Sequence, residues 1–168
     1  TVPVPLSFFT ICSKNFFAYA HTLFDSVREH YPDANFYVAL CDRRDGMIER
    51  EREPFEIIEL DQLDIPALPG MIERYNITEL NTSIKPFVFD YLFSRCGEEN
   101  VVYVDPDILI ISPLREVEEL LAQGAEAVMT PHVLDPAEGV EIDDIKMLQL
   151  GVYNLGFLAL RRTPRVIE

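Results

Sequence analysis

The sequence predicts an α/β domain, with an open, mostly parallel but mixed sheet between two layers of helices, a three-layer α/β/α sandwich. Three observations predict it. Short, continuously apolar runs of strand type alternate with stripes of helical spacing along most of the chain. The strand runs read as buried on both faces, as in a sheet covered by helices above and below. The chain has 168 residues, 48 % of them apolar, enough for one domain with its own core and too many for disorder.

The elements follow in order. Residues 6–13, LSFFTICS, form a buried strand candidate rich in Phe and Ile. Phe17, Ala20, Phe24, Val27 and Tyr31 then recur at steps of three and four, one face of a helix of about four turns. Ser13 or Asn15 is placed to cap its start, and Pro32 marks its end. Residues 35–42, NFYVALCD, make a second strand, 43–53 a charged loop with room for a helical turn, and 55–60, FEIIEL, a third strand. Residues 61–75 hold Pro66, Pro69 and Gly70 and read as a loop with a short helix.

Leu80, Ile84, Phe87 and Tyr91 give another helical stripe. Either Thr78 opens it, with Pro86 inside, or Ser83 is the cap and Pro86 sits in the first turn. Gly97 stops it. NVVYV, residues 100–104, is a fourth strand. Ser112 as cap and Pro113 at the first helical position start a helix with Leu114, Val117 and Leu121 on one face, ended by Gly124. Residues 126–130 form a fifth strand, Ile142, Ile145 and Leu148 mark a short helix, and 156–162 a last strand.

The formal charge of −15 disfavours nucleic-acid backbones and anionic membranes as partners. It also means that a phosphate-bearing ligand would need a local positive centre. Cys12, Cys41 and Cys96 show no metal-finger spacing and read as reduced, buried, intracellular thiols. His21, His30 and His132 are scattered and read as surface or capping residues. No apolar run reaches the length of a membrane span, and the first residues lack the pattern of a signal peptide. The expected location is therefore cytoplasmic, at most peripheral to the inner face of a membrane in the full-length protein. The sequence has no initiator Met and stops at RRTPRVIE, so a single domain from a longer chain is expected.

Chemistry concentrates in NVVYVDPDILIISPL, residues 100–114. With 12 Asp in the chain, chance predicts roughly one D-x-D triplet, so Asp105-Pro106-Asp107 means little without its context. The context is the carboxyl end of a buried strand, where ligands sit in open α/β sheets. On an extended segment the side chains of residues i and i+2 point the same way. The two carboxylates would then converge and repel, unless one takes a proton or a divalent cation lies between them. An ion held by only two carboxylates keeps positions free for phosphate oxygens, which lets an acidic protein bind a diphosphate. Three chemistries fit: transfer from a nucleotide sugar, a phosphatase of the haloacid dehalogenase type, and a non-catalytic nucleotide-binding module. The phosphatase expects Thr and Gly just after the pair, where this chain has Ile108 and Leu109, and expects the motif near the start. Asp143 and Asp144 could imitate its later acidic pair.

Three segments carry a more specific resemblance: TICSKNFFAYAHTLFDSVREHYPDANFYV, SIKPFVFDYLFSRCGEENVVYVDPDILIISPL and GVYNLGFLALRR. In order and spacing they resemble the nucleotide-binding turn, the YLDxDxLV strand and the FNxGxxLxN strand of GT-A-fold glycosyltransferases, closest to family 8. That family includes glycogenin and bacterial retaining galactosyltransferases. The likeness covers most of residues 6–162. It implies a Rossmann-like GT-A domain, and a metal-dependent enzyme that moves a hexose from a nucleoside-diphosphate sugar, expected to be UDP-linked, to a saccharide or lipid-linked acceptor.

Residue by residue, the resemblance implies Mn²⁺ or Mg²⁺ on Asp105 and Asp107. Asp105 and the adjacent Pro106 would also border the donor. Asn15, with Thr10, Ser13 and Lys14, would line the uracil and ribose end of the donor pocket. The family often has acidic residues where this chain has Ser13 and Lys14, which bears on base preference. Lys85 matches a basic residue that reaches the donor's phosphate or sugar, and Asn154 and Gly156 would lie against the transferred sugar or acceptor. Plainer readings stand beside these: Lys85 a surface lysine, Asn15 a helix cap, Asn154 a turn residue near Gly151, Thr10 a strand residue, Tyr103 core. The family's third metal ligand, a histidine, and a further acidic residue belong to a C-terminal half beyond this sequence, and His132 falls in the wrong place for that ligand.

Overall fold

A computed structural model describes residues 4–42, 48–133 and 151–167. Among the described residues six strands form one mixed sheet: β1 Ser7–Cys12, β2 Phe36–Leu40, β3 Glu56–Glu59, β4 Asn100–Val104, β5 Ala127–Pro131 and β6 Tyr153–Arg161. Their order is β3-β2-β1-β4-β6-β5. The pairings β2–β3, β1–β2 and β1–β4 are parallel, and β6 runs antiparallel to both β4 and β5. β2 and β3 lie on one side of β1 and β4 on the other, so a topological switch opens between the carboxyl ends of β1 and β4, where such sheets bind ligands.

Helices cover both faces. On one face lie α1, Phe17–His30, and α5, Arg115–Ala122. Ala20, Leu23, Phe24 and Val27 of α1 sit at i, i+3, i+4 and i+7 and pack on Phe8, Val38, Ile57 and Val102. On the other face lie α3, Ile77–Ser83, and α4, Lys85–Ser94, following the short α2, Leu68–Arg74. Leu80, Val88, Phe89 and Leu92 pack there on Phe9, Ile11, Ile58 and Val101. Each fully buried aliphatic or Phe side chain contributes about 1.5–3 kcal/mol through area removed from water. A last turn of helix, α6, spans Pro164–Ile167.

Helix starts differ from the sequence expectation. The stripe from Leu80 to Tyr91 is two helices, separated at Ile84. Neither Thr78 nor Ser83 caps them. Asn76 caps α3 in a reciprocal capping box with Glu79, while the Ser83 hydroxyl turns back to the Glu79 carbonyl at 2.6 Å. Pro86 does fall in the first turn of α4. Helix α5 begins after Leu114, so Ser112 does not cap it and Pro113 lies outside; the Leu114 amide is held instead by the Tyr31 hydroxyl at 2.6 Å. Neither Ser13 nor Asn15 caps α1, because a 3₁₀ turn, Lys14–Phe16, intervenes. The helix expected around Ile142, Ile145 and Leu148, and the Asp143–Asp144 pair, lie outside the described residues. Cys12 and Cys41 are buried as expected, but Cys96 is only half-buried. No helix among the described residues is long and apolar enough to cross a membrane.

Candidate functional site

The switch point carries a cleft of about 470 Å³. The segment after β1 supplies Ser13, Asn15 and Phe16, the end of β4 supplies Tyr103, Asp105, Pro106 and Asp107, and β6 supplies Tyr153, Leu155 and Gly156. Lys85 enters from α4, with Thr78, Asn81 and Thr82 ahead of it on α3. A larger cavity of 610 Å³ lies at the opposite end of the sheet, around Asn100, Arg161 and Thr163. It holds no comparable pair of acids, so the chemistry points to the smaller cleft.

The Asp pair does not sit on extended backbone. The Ile108 amide donates to the Asp105 carbonyl at 3.1 Å, closing a β-turn over Pro106 and Asp107. The i, i+2 argument for convergent carboxylates therefore fails. Both acids still open on one cleft, through a turn fitted to its rim.

An irregularity in β6 builds the opposite wall. Met129 pairs with Leu158 and Thr130 with Asn154, so residues 155–157 of β6 have no partner on β5. Bulges of this kind re-aim backbone beside functional sites. Here the Leu155 carbonyl accepts Lys85 Nζ at 2.7 Å, while on the β4 side the Gly156 carbonyl accepts the Asp105 amide at 2.8 Å, one step past the Val104–Phe157 pair. Asn154 Oδ1 accepts the Gly156 amide at 2.9 Å. Asn154 thus braces Gly156 and does not itself line the cleft.

Lys85 is not a surface lysine. It is 7 % exposed, and its Nζ lies 3.8 Å from the centre of the Tyr103 ring. A desolvated cation over an aromatic face gains about 2 kcal/mol or more, which offsets part of the burial cost. Burial pulls the amine below the usual lysine range, and the Asp105 charge opposes that shift. Tyr103, assigned to the core by sequence, links these groups. Its ring is buried, and its hydroxyl donates to Asp105 Oδ1. Burial first, then the Asp105 charge, push the phenol's pKa up, so it stays a donor.

Thr10 lies inside β1 with no exposure and does not reach the cleft. Side chains alternate along a strand, and Thr10 falls among the core residues. Ser13 is buried and donates its hydroxyl to Asn15 Oδ1; the Lys14 amide donates to Asp42 Oδ2 at 2.8 Å. Phe16, Asn81 and Thr82 also join the lining, with Thr78, read as a possible helix start, Tyr103, read as core, and His132, read as a surface or capping residue. One signal was present: Thr78, Asn81, Thr82 and Lys85 follow helical spacing and make a polar face. His132 Nδ1 meets the Gly151 carbonyl at 2.9 Å.

No protein-family model and no curated protein sequence matches the chain. Solved structures do. An active-site mutant of LgtC is similar with a TM-score of 0.62 at 14 % identity, over 92 % of this chain and 57 % of that one. The galactosyltransferase LgtC in complex with donor and acceptor sugar analogues gives 0.59 at 15 %, with the same coverage. Mouse xyloside xylosyltransferase 1, in its apo form, gives 0.58 at 14 %, over 94 % of this chain and 67 % of that one. The fold is GT-A. The chain spans 57 % of the length of the LgtC chains it matches.

Within this GT-A fold the donor set bears on the expected metal. Among the described residues no group of three or more His, Cys, Asp or Glu gathers as a cage. Two carboxylates on one rim are hard oxygen ligands. They suit Mg²⁺ or Mn²⁺ shared with a ligand's phosphates, and not an ion that the protein holds alone. Asp105 and Asp107 would hold it.

Proposed function

We propose that the cleft binds a nucleoside-diphosphate sugar, with UDP as the nucleotide, together with Mn²⁺ or Mg²⁺, and that the protein transfers the hexose to a saccharide or lipid-linked acceptor. The observation that carries this reading is that two acids, a buried lysine and the Gly156 backbone share one cleft at the switch point of a GT-A fold. The three sequence motifs support membership of family 8, and with it retention of configuration. The bound ion would supply positive charge to the departing diphosphate.

The chain's own residues divide the work. Asp105 and Asp107 hold the ion. Lys85, already desolvated, meets phosphate with a charge that water screens little. Phe16, 41 % exposed beside Asn15, offers a ring on which a base can stack. Gly156 and Leu155 bring β6 to the wall where the sugar would lie, and the missing side chain of Gly156 leaves room for the Asp105 carboxylate.

Calorimetry with UDP tests the reading. With Mn²⁺ present, Asp107→Ala is expected to lower UDP affinity at least about tenfold, about 1.4 kcal/mol. Equal affinity in the two proteins counts against the assignment. Turnover of p-nitrophenyl phosphate with trapping by fluoroberyllate would favour the phosphatase instead.

A further inference from the structure

We propose that Tyr103 is a positioning residue that makes Asp105 a one-oxygen ligand. This rests on the nucleotide-sugar reading above. A free carboxylate can offer both oxygens to a divalent ion or rotate between them. Asp105 has neither freedom. Its Oδ1 accepts the Tyr103 hydroxyl, and its Oδ2 faces Gly156, where a Cβ would stand 2.7 Å away. Its amide is tied to the Gly156 carbonyl at 2.8 Å, so the backbone beneath the side chain is held as well.

Tyr103 can impose this because its own ring is clamped. The residue is 3 % exposed, its ring packs against Phe9 at 5.0 Å, and Phe9 sits edge-on to Phe89 at 4.8 Å. Lys85 Nζ lies 3.8 Å from the ring centre, above the face. The side chain thus has two separable contacts: the ring seats the cation, and the hydroxyl sets the carboxylate. With one lone pair of Oδ1 engaged by the hydroxyl, Oδ2 of Asp105 is the oxygen offered to the ion, and Asp107 supplies the other carboxylate on the rim. Groups that orient a ligand in this way affect metal affinity by roughly 10–100-fold when removed.

Tyr103→Phe separates the two contacts, because it keeps the ring under Lys85 and removes only the hydroxyl. Mn²⁺ binding is read by electron paramagnetic resonance of the free ion with UDP present, and UDP binding without metal by calorimetry. The expected result is Mn²⁺ affinity lowered roughly tenfold or more, with metal-free UDP binding and the melting temperature close to wild type. In an Asp105→Asn background the same substitution should add nothing, since the hydroxyl acts through that carboxylate. Wild-type Mn²⁺ affinity in Tyr103→Phe, an equal loss of metal-free UDP binding, or a full additive loss on top of Asp105→Asn would each overturn the proposal. A wild-type protein with no Mn²⁺-dependent UDP binding would overturn the nucleotide-sugar reading itself, a result distinct from all three.

Discussion

Gly156 and Asp105 are in direct steric contact across β6 and β4. A Cβ built on Gly156 would lie 2.7 Å from Asp105 Oδ2 and 3.0 Å from Asn154 Oδ1, while the Gly156 carbonyl accepts the Asp105 amide. Gly156 is not among the positive-φ glycines of this chain. Its lack of a side chain therefore answers to space and not to backbone conformation.

Gly156→Ala is expected to leave the fold in place and to disable the cleft. The methyl must push aside a carboxylate that Tyr103 holds, and crowding in packed sites costs about 1–3 kcal/mol. Urea unfolding should show a loss of that size with an unchanged slope, and Mn²⁺-dependent UDP binding should drop beyond detection. Wild-type UDP affinity in this variant would show that the carboxylate moves away without consequence.

Lys85→Met keeps the length of the buried stem and removes the charge. UDP affinity should fall about tenfold or more, with or without metal, because the lysine meets phosphate directly. The melting temperature should move by only a few degrees, since one hydrogen bond to the Leu155 carbonyl and one cation–aromatic contact are lost. Circular dichroism showing collapse would reassign the residue to a structural role.

Alkaline pH should destabilise the domain from about pH 9 upward. Burial pushes the thiols of Cys12 and Cys41 from 9.0 up to about 12; the Asp42 charge assists at Cys12, and at Cys41 the neighbouring thiol and then Asp42 do so. An acid whose folded pKa is raised favours the folded state fully below its unfolded value and loses that contribution as pH rises through the folded one. The urea midpoint should thus be flat up to about pH 9 and fall from there to 12. Burial raises Tyr31 and Tyr37 as well, which reinforces the fall above about pH 10. A midpoint that stays level to pH 11 would contradict the buried placement of both thiols. At neutral pH a thiol reagent should label Cys96 before either of them.

The sequence by itself determined the strands β1 to β6 and most helices within a few residues, and it put the acidic pair at the end of β4. These are local properties. Apolar periodicity sets strand or helix over ten or so residues, and a proline between two aspartates ends a strand wherever it occurs. The helix starts that it misplaced were decided by contacts from elsewhere, such as the Tyr31 hydroxyl holding the Leu114 amide, 83 residues away. Tertiary structure alone decided what the acids face. Lys85 reaches the Leu155 carbonyl across 70 residues of sequence, Tyr103 turns from core filler into the partner of Asp105, and Thr10 is left behind in the sheet. The first of those outcomes depends on β6 entering antiparallel between β4 and β5 with three residues unpaired on the β5 side. Such a register comes from summing weak packing preferences over distant segments, and no short window of sequence contains that sum.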